Sequence, residues 1–201
     1  MNDTIGNNPG DKRLIDRILR GDNRAFGILI KNTEKLVAQI VFKMIPVSED
    51  RKDLAQDIYL RVFHNLVTFK FQSKLSTWIA RIAYNTCLSW LEKKKLVFPG
   101  SLDEEEKNPV FQEALYNTPV NSHTSETKLF QKELAIILDR EMENLPAIYQ
   151  TLIALFHQES MTYEELAQVT GLPEGTVKSS LFRARKMLKE NLLLKYQKEA
   201  L

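Results

Sequence analysis

The sequence predicts an all-α protein with two small helical domains, a helical bundle and a C-terminal helix-turn-helix domain, joined by a flexible linker. Three observations carry that expectation. Apolar residues recur every three to four positions at both ends of the chain, no stretch of convincing length alternates with the period of a strand, and a segment rich in Pro, Asn, Ser, Thr and acidic residues separates the two ends. The 201 residues, 43% of them hydrophobic, have room for two cores of this kind. The expected boundaries are 11–95 for the bundle, 96–127 for the linker and 128–197 for the second domain.

Helical spacing runs through residues 11–44 and again through 50–66, where Leu54, Ile58, Val62 and Leu66 form one inward stripe. The opposite face of that second helix carries Asp53, Gln56, Asp57 and Arg61. After "FKFQSK" a helix is expected from near Ser76, with Trp78, Ile79, Ile82, Ala83, Cys87, Trp90 and Leu91 in phase. It closes on "EKKK", where cations near a helix C-terminus are favourable. Pro99, Gly100, Pro109, Pro119 and the self-repelling "DEEE" then interrupt any periodicity, which is the composition of a linker. The helical pattern resumes near Lys128, and Pro146 is expected in the first turn of "AIYQTLIALFHQ".

The last segment carries the sharpest local signal. Thr162 followed by Glu165 is a capping box that opens the short helix "YEELAQV". Gly171 stands where the helix must end in a left-handed residue, which glycine adopts at little cost. A second helix follows from about Glu174, with Val177, Leu181, Ala184 and Leu188 inward. Small Ala167, the turn glycine and Val177 let the two helices cross closely, as in a helix-turn-helix that presents its second helix to a major groove. The outer face of that helix offers Thr176, Lys178, Ser179, Ser180, Phe182, Arg183 and Lys186, mostly groups that reach phosphates and base edges. Glycine-turned helical hairpins also serve as plain packing units, and the hairpin alone leaves that alternative open.

The charge is informative only by position. The net +2 divides into +7 over residues 1–100, −4 over 101–130, −5 over 131–170 and +4 over 171–201. Two small basic surfaces of this size would hold duplex DNA weakly on their own. No apolar run approaches the ~20 residues of a membrane-spanning helix, and the N-terminus lacks the apolar core of a secretory signal. One cysteine, Cys87, excludes an internal disulfide, and its apolar helix face predicts an inert core thiol, so the cytoplasm is the expected location. His64, His123 and His157 lack partners at metal-ligand spacing, and no phosphate loop or nucleophile elbow appears, so no cofactor, metal or enzymatic activity is expected.

The segment from Leu145 to Leu188 resembles the fourth conserved region of the bacterial RNA polymerase sigma factors of the extracytoplasmic-function type, including "GTVKS" at Gly175–Ser179 and "RAR" at Arg183–Arg185. The segment from Asp53 to Asn85 resembles the second conserved region of the same family. The resemblance implies a promoter-melting N-terminal bundle on the clamp helices of the polymerase beta-prime subunit, and a C-terminal domain on the beta flap. By the same resemblance, Asp53, Gln56, Asp57 and Arg61 would face the clamp. Phe69, Lys70, Phe71, Ser73, Lys74, Ser76, Thr77, Trp78 and Asn85 would read and melt the minus-ten element, with an unstacked base held by stacking and edge hydrogen bonds. Trp78 fits core and DNA contact equally. The outer face from Thr176 to Lys186 would read the minus-thirty-five element. Ser180 departs from the arginine found there in many members, which removes one bidentate guanine contact worth ~1–3 kcal/mol of discrimination.

Core polymerase, promoter DNA and an anti-sigma factor are therefore the implied partners. Polymerase would make the second DNA contact effectively intramolecular and so supply the affinity that a charge of +2 does not. The competing expectation is a stand-alone helix-turn-helix regulator that binds duplex DNA without polymerase, which leaves the pattern from Asp53 to Asn85 without a role.

Overall fold

The helical periodicities become eight α-helices in a computed structural model that describes residues 8–97 and 136–196; the segment expected as linker lies, from residue 98 onward, outside the described residues. Helix α1 (Pro9–Leu19) starts under an Asn8 cap, with Pro9 at the position where a missing N–H costs nothing. The pattern read through residues 11–44 is broken by Gly21, whose φ of 90° turns the chain, and by Asp22. The Asp22 carboxylate caps α2 (Asn23–Met44) by accepting from the N–H groups of Arg24 and Ala25, and it also receives both ends of the Arg17 fork at 3.0 and 2.7 Å.

Helix α3 (Ser48–Asn65) has no side-chain cap, and the tight entry from α2 is held instead by Arg51. Its guanidinium donates to the carbonyls of Ile45 and Pro46 and lies over the Phe42 ring. A 3₁₀ turn (Leu66–Thr68) ends α3, and α4 (Leu75–Val97) follows after a short loop, reaching two residues into the segment expected as linker. In the second half, residues 136–143 form α5, α6 spans Ala147–His157, α7 Tyr163–Thr170 and α8 Glu174–Tyr196. Pro146 is the residue before α6, not in its first turn; its φ of −52° directs the chain into the helix, and its carbonyl accepts the first bonds, from Tyr149 and Gln150.

Helix α2 is the centre of the N-terminal bundle, packed on α1, α3 and α4, while α6, α7 and α8 pack on one another. Leu54, Ile58, Val62 and Leu66 are all buried, as their spacing requires. The two halves are not separate lobes. Helix α7 lies on α4 and α6 on α2, so that Ile40 and Ile79 belong to the same continuous core as Leu155, Leu166 and Leu181. No described helix is long and apolar enough to cross a membrane, and no group of potential metal ligands occurs among the described residues.

Candidate nucleic-acid interface

The helix-turn-helix is built as its sequence requires. Thr162 Oγ1 accepts from the Glu165 N–H, and the Glu165 carboxylate accepts in return from the Thr162 N–H at 2.9 Å, so both halves of the capping box are present. Gly171 takes φ 73°, and its N–H closes α7 on the Ala167 carbonyl. Val177, Leu181 and Ala184 on α8 are fully buried. With 3.6 residues per turn, this seats α8 with Ser179, Phe182, Arg183 and Lys186 opposite the core and with Thr176 and Ser180 on one shoulder.

Phe182 is 69% exposed, a large apolar ring with no core to serve. Two of the cations on this helix are not free for DNA. Lys178 pairs with Glu174 at 2.6 Å and lies over the Tyr163 ring, and Lys186 pairs with Glu190 at 3.8 Å. Both are exposed i,i+4 pairs, the kind a phosphate displaces readily. Arg185 turns away onto the Phe156 ring and His157 Nε2, and burial, together with the nearby Arg185 charge, lowers the His157 pKa.

The second surface is a cleft of about 480 Å³ walled by Thr68, Phe69, Lys70, Gln72, Trp78 and Arg81, with Ser73, Thr77 and Gln168 completing it. Phe69 is 7% exposed, with Phe71 and Trp78 flanking its ring at centroid distances of 4.8 and 5.2 Å. Trp78 is half-buried and serves core and cleft together. The backbone that presents Phe71 is left-handed, φ 56°, which costs a residue with a Cβ about 1–2 kcal/mol. Strain of that kind gathers at functional loops. Trp78, Arg81 and Asn85 share one stripe of α4 with Lys74 just before it, and Lys70, Lys74, Arg81 and Asn85 are exposed. Ser73 and Ser76 are half-exposed beside them. Thr77 is 1% exposed, and its hydroxyl donates to Glu165 of α7 at 3.3 Å.

The third surface is the outer face of α3. Asp53, Gln56 and Arg61 are exposed, Asp57 is half-exposed, and Asp57 and Arg61 pair at 2.8 Å. Leu60 lies among them at 58% exposure.

Sequence reasoning missed Arg81, Gln168 and Leu60. Arg81 was legible as the residue between Trp78 and Asn85 on their common helical stripe. Leu60 falls two residues out of phase with the buried Ile58, which marks it as an outward apolar residue. Gln168 belongs to the other half of the chain, and no local pattern brings it to the cleft.

Comparison with known proteins matches both halves of the chain. The family described as sigma-70 region 2 matches residues 29–97, and the family described as sigma-70, region 4 matches residues 135–188. The ECF RNA polymerase sigma-E factor of Haemophilus influenzae is 28% identical over 187 residues, covering 90% of this chain and 95% of that protein. The protein of the same name from Escherichia coli K12 is 30% identical over 178 residues, covering 89% and 92%. Among solved structures, the sigma factor RpoE of Bartonella quintana, in complex with the anti-sigma factor NepR, matches with a TM-score of 0.64 at 20% identity, over 85% of this chain and 98% of that one. CnrH, in complex with the cytosolic domain of CnrY, matches with a TM-score of 0.58 at 22% identity, over 92% and 98%. At these identities the two structures bear on the fold.

Proposed function

The chain belongs to the sigma-70 family and is an RNA polymerase sigma factor of the ECF type; on that premise we propose how its side chains divide promoter recognition. Helix α8 enters the major groove of the minus-thirty-five element with Thr176, Ser179, Ser180 and Arg183, while Lys178 and Lys186 leave their glutamates for phosphates. Phe182 supplies an apolar contact of the kind a thymine methyl accepts.

The cleft beside Phe69, Phe71 and Trp78 takes an unstacked base of the minus-ten element. Ser73, Ser76, Thr77 and Asn85 supply the polar groups around it, and Lys70, Lys74 and Arg81 follow the backbone. Asp53, Gln56, Asp57 and Arg61, with Leu60 as apolar centre, meet the beta-prime clamp helices. The domain over 128–197 rests on the beta flap, and 96–127 spans the two docking sites. The reading gives the chain no turnover of its own, places it with polymerase in the cytoplasm and includes an anti-sigma factor among its partners, as in the complex of RpoE with NepR.

The observation that carries the proposal is the aromatic-walled cleft lying within the region 2 match, with the exposed face of α8 in the region 4 match. It is tested by mixing the protein with bacterial core polymerase over a pool of promoter fragments. Promoter-specific initiation is expected only when both are present. Arg183→Ala is expected to weaken use of the upstream element by roughly tenfold while core binding stays intact, and loss of core binding would mean that the helix has been misassigned. Asp57→Arg is expected to reduce core binding, and unchanged assembly would mean that the outer face of α3 is only solvated.

A further inference from the structure

Four exposed arginines along α1 and the start of α2 serve neither the cleft nor α8. Arg13, Arg17 and Arg20 recur at helical spacing on α1, and Arg24 follows in the first turn of α2. The buried residues of α1 are Ile15 and Ile18, so at 3.6 residues per turn the three α1 arginines lie on the opposite side, away from the bundle. Arg17 donates through Nε and Nη2 to Asp22, whose other oxygen caps α2, so this guanidinium is held in one orientation. Arg13, Arg20 and Arg24 make no ion pair among the described residues, and neither does Asp16 on the same face.

Helix stability does not account for this stripe. Arg61, Lys178 and Lys186, exposed on other helices, each pair with a carboxylate four residues away. Arg13 has Arg17 at that spacing instead, a like-charge pair that weakens a helix. The helix dipole favours Arg17 and Arg20 near the C-terminus of α1. Arg13 lies in the N-terminal half of that helix, and Arg24 stands in the first turn of α2, where a cation is disfavoured. Every position of the stripe is arginine, whose planar fork suits phosphate and whose flat face stacks on an unpaired base. Helix α1 also packs on the 3₁₀ turn Leu66–Thr68, and Thr68 is part of the cleft wall beside Phe69 and Lys70.

We propose that Arg13, Arg17, Arg20 and Arg24 carry the phosphates of the single strand that leaves the minus-ten cleft, so that α1 extends the path of the melted strand past the captured base. The proposal rests on the reading of that cleft as the minus-ten site. A line of cations continuing from an aromatic base site is how an unpaired strand is tracked. With 11 residues and a length of about 16 Å, α1 gives that track room for several phosphates.

The test uses the full chain and two fluorescent DNA probes of randomised sequence, one single-stranded and one a duplex of the same length, titrated over a range of potassium chloride concentrations. Arg13→Ala/Arg20→Ala removes two exposed guanidiniums, leaves the Asp22 cap in place and keeps the helix propensity of α1. Lys31→Ala/Lys35→Ala makes the same change of charge at exposed positions of α2 outside the stripe. Lys70→Ala reports on the cleft. The arginine pair is expected to weaken single-strand binding about three- to tenfold and to flatten the salt slope by about 1.4, at about 0.7 for each phosphate. The lysine pair is expected to change neither, and Lys70→Ala to flatten the slope by about 0.7. Circular dichroism shows whether each variant keeps its helices, and Arg13→Gln/Arg20→Gln replaces an alanine pair that does not. Equal losses in the arginine and lysine pairs would mean that only net charge matters. That result, an unchanged arginine pair, or a parent that binds no single strand would each overturn the proposal. A loss as large on the duplex would overturn the single strand as occupant. A loss in the arginine pair with Lys70→Ala unchanged would keep a single-strand site on α1 and overturn its connection with the cleft.

Discussion

Glu165 shows how much a single side chain does here. Burial alone would raise its carboxyl, yet the Thr162 N–H, Lys74 and Thr77 hold it below the usual carboxylate value. A group whose pKa is depressed on folding stabilises the fold above its unfolded value, about 4.3 for glutamate, and loses that contribution as pH falls through the folded value. The stability difference between the parent and Glu165→Gln should therefore be largest at neutral pH and shrink below about pH 4. Urea titrations at a series of pH values measure it, and a difference independent of pH would show that the charge contributes nothing. Cys87 makes the contrasting case. Burial on the core face of α4 pushes its thiol up to about 12, so the reactive thiolate is scarce at pH 8. Iodoacetamide should leave the native protein unmodified and label it after denaturation; prompt native labelling would mean that α4 opens readily.

Among the elements, the turn between α7 and α8 depends on one backbone conformation. Gly171 has φ 73°, and an added Cβ would meet no atom within 4 Å, so substitution there is penalised by backbone strain and not by a clash. Gly171→Ala is expected to cost about 1–2 kcal/mol, and Gly171→Asn less, because asparagine tolerates the left-handed region. Equal losses for Ala and Asn, measured by urea unfolding, would show that packing governs the turn. This turn was legible in the sequence because its requirements are local: a glycine, a proline two residues on and a capping box that opens at Thr162, nine residues before the glycine. The stripe from Leu54 to Leu66 was legible for the same reason, since a helix projects its period directly onto the chain. The break at Gly21 and Asp22 inside one apparently continuous pattern was weaker, because apolar phase continues across it. The residues around the cleft were named in the sequence as types, whereas their exposure was not legible there. Thr77 and Phe69 are buried by neighbours that local periodicity does not name.

At the scale of the whole molecule, the junction between the halves left almost no trace in the sequence. Its polar members include Gln39, Lys43, Thr77, Glu165 and Gln168, which local periodicity assigns to solvent. Ion pairs within the protein are expected to make the chain a poor DNA ligand by itself. Lys74 is spent on Glu165, while on α8 Lys178 and Lys186 are spent on Glu174 and Glu190, which leaves Arg183 as the outward cation of that face with no ion pair among the described residues. Each phosphate neutralised contributes a slope of about −0.9 to the dependence of log affinity on log salt. If a phosphate must first displace an internal glutamate, the net ion release at that lysine falls, so the protein alone should show a shallow slope of roughly −1 to −3 on duplex DNA. With core polymerase present the slope should steepen, because the second DNA contact becomes effectively intramolecular and adds Lys70, Lys74 and Arg81 to the contacts. Fluorescence titrations over a range of potassium chloride concentrations, with and without core polymerase, measure both slopes. A steep slope for the protein alone would mean that its cations already face DNA unpaired, and that the internal ion pairs do not govern binding.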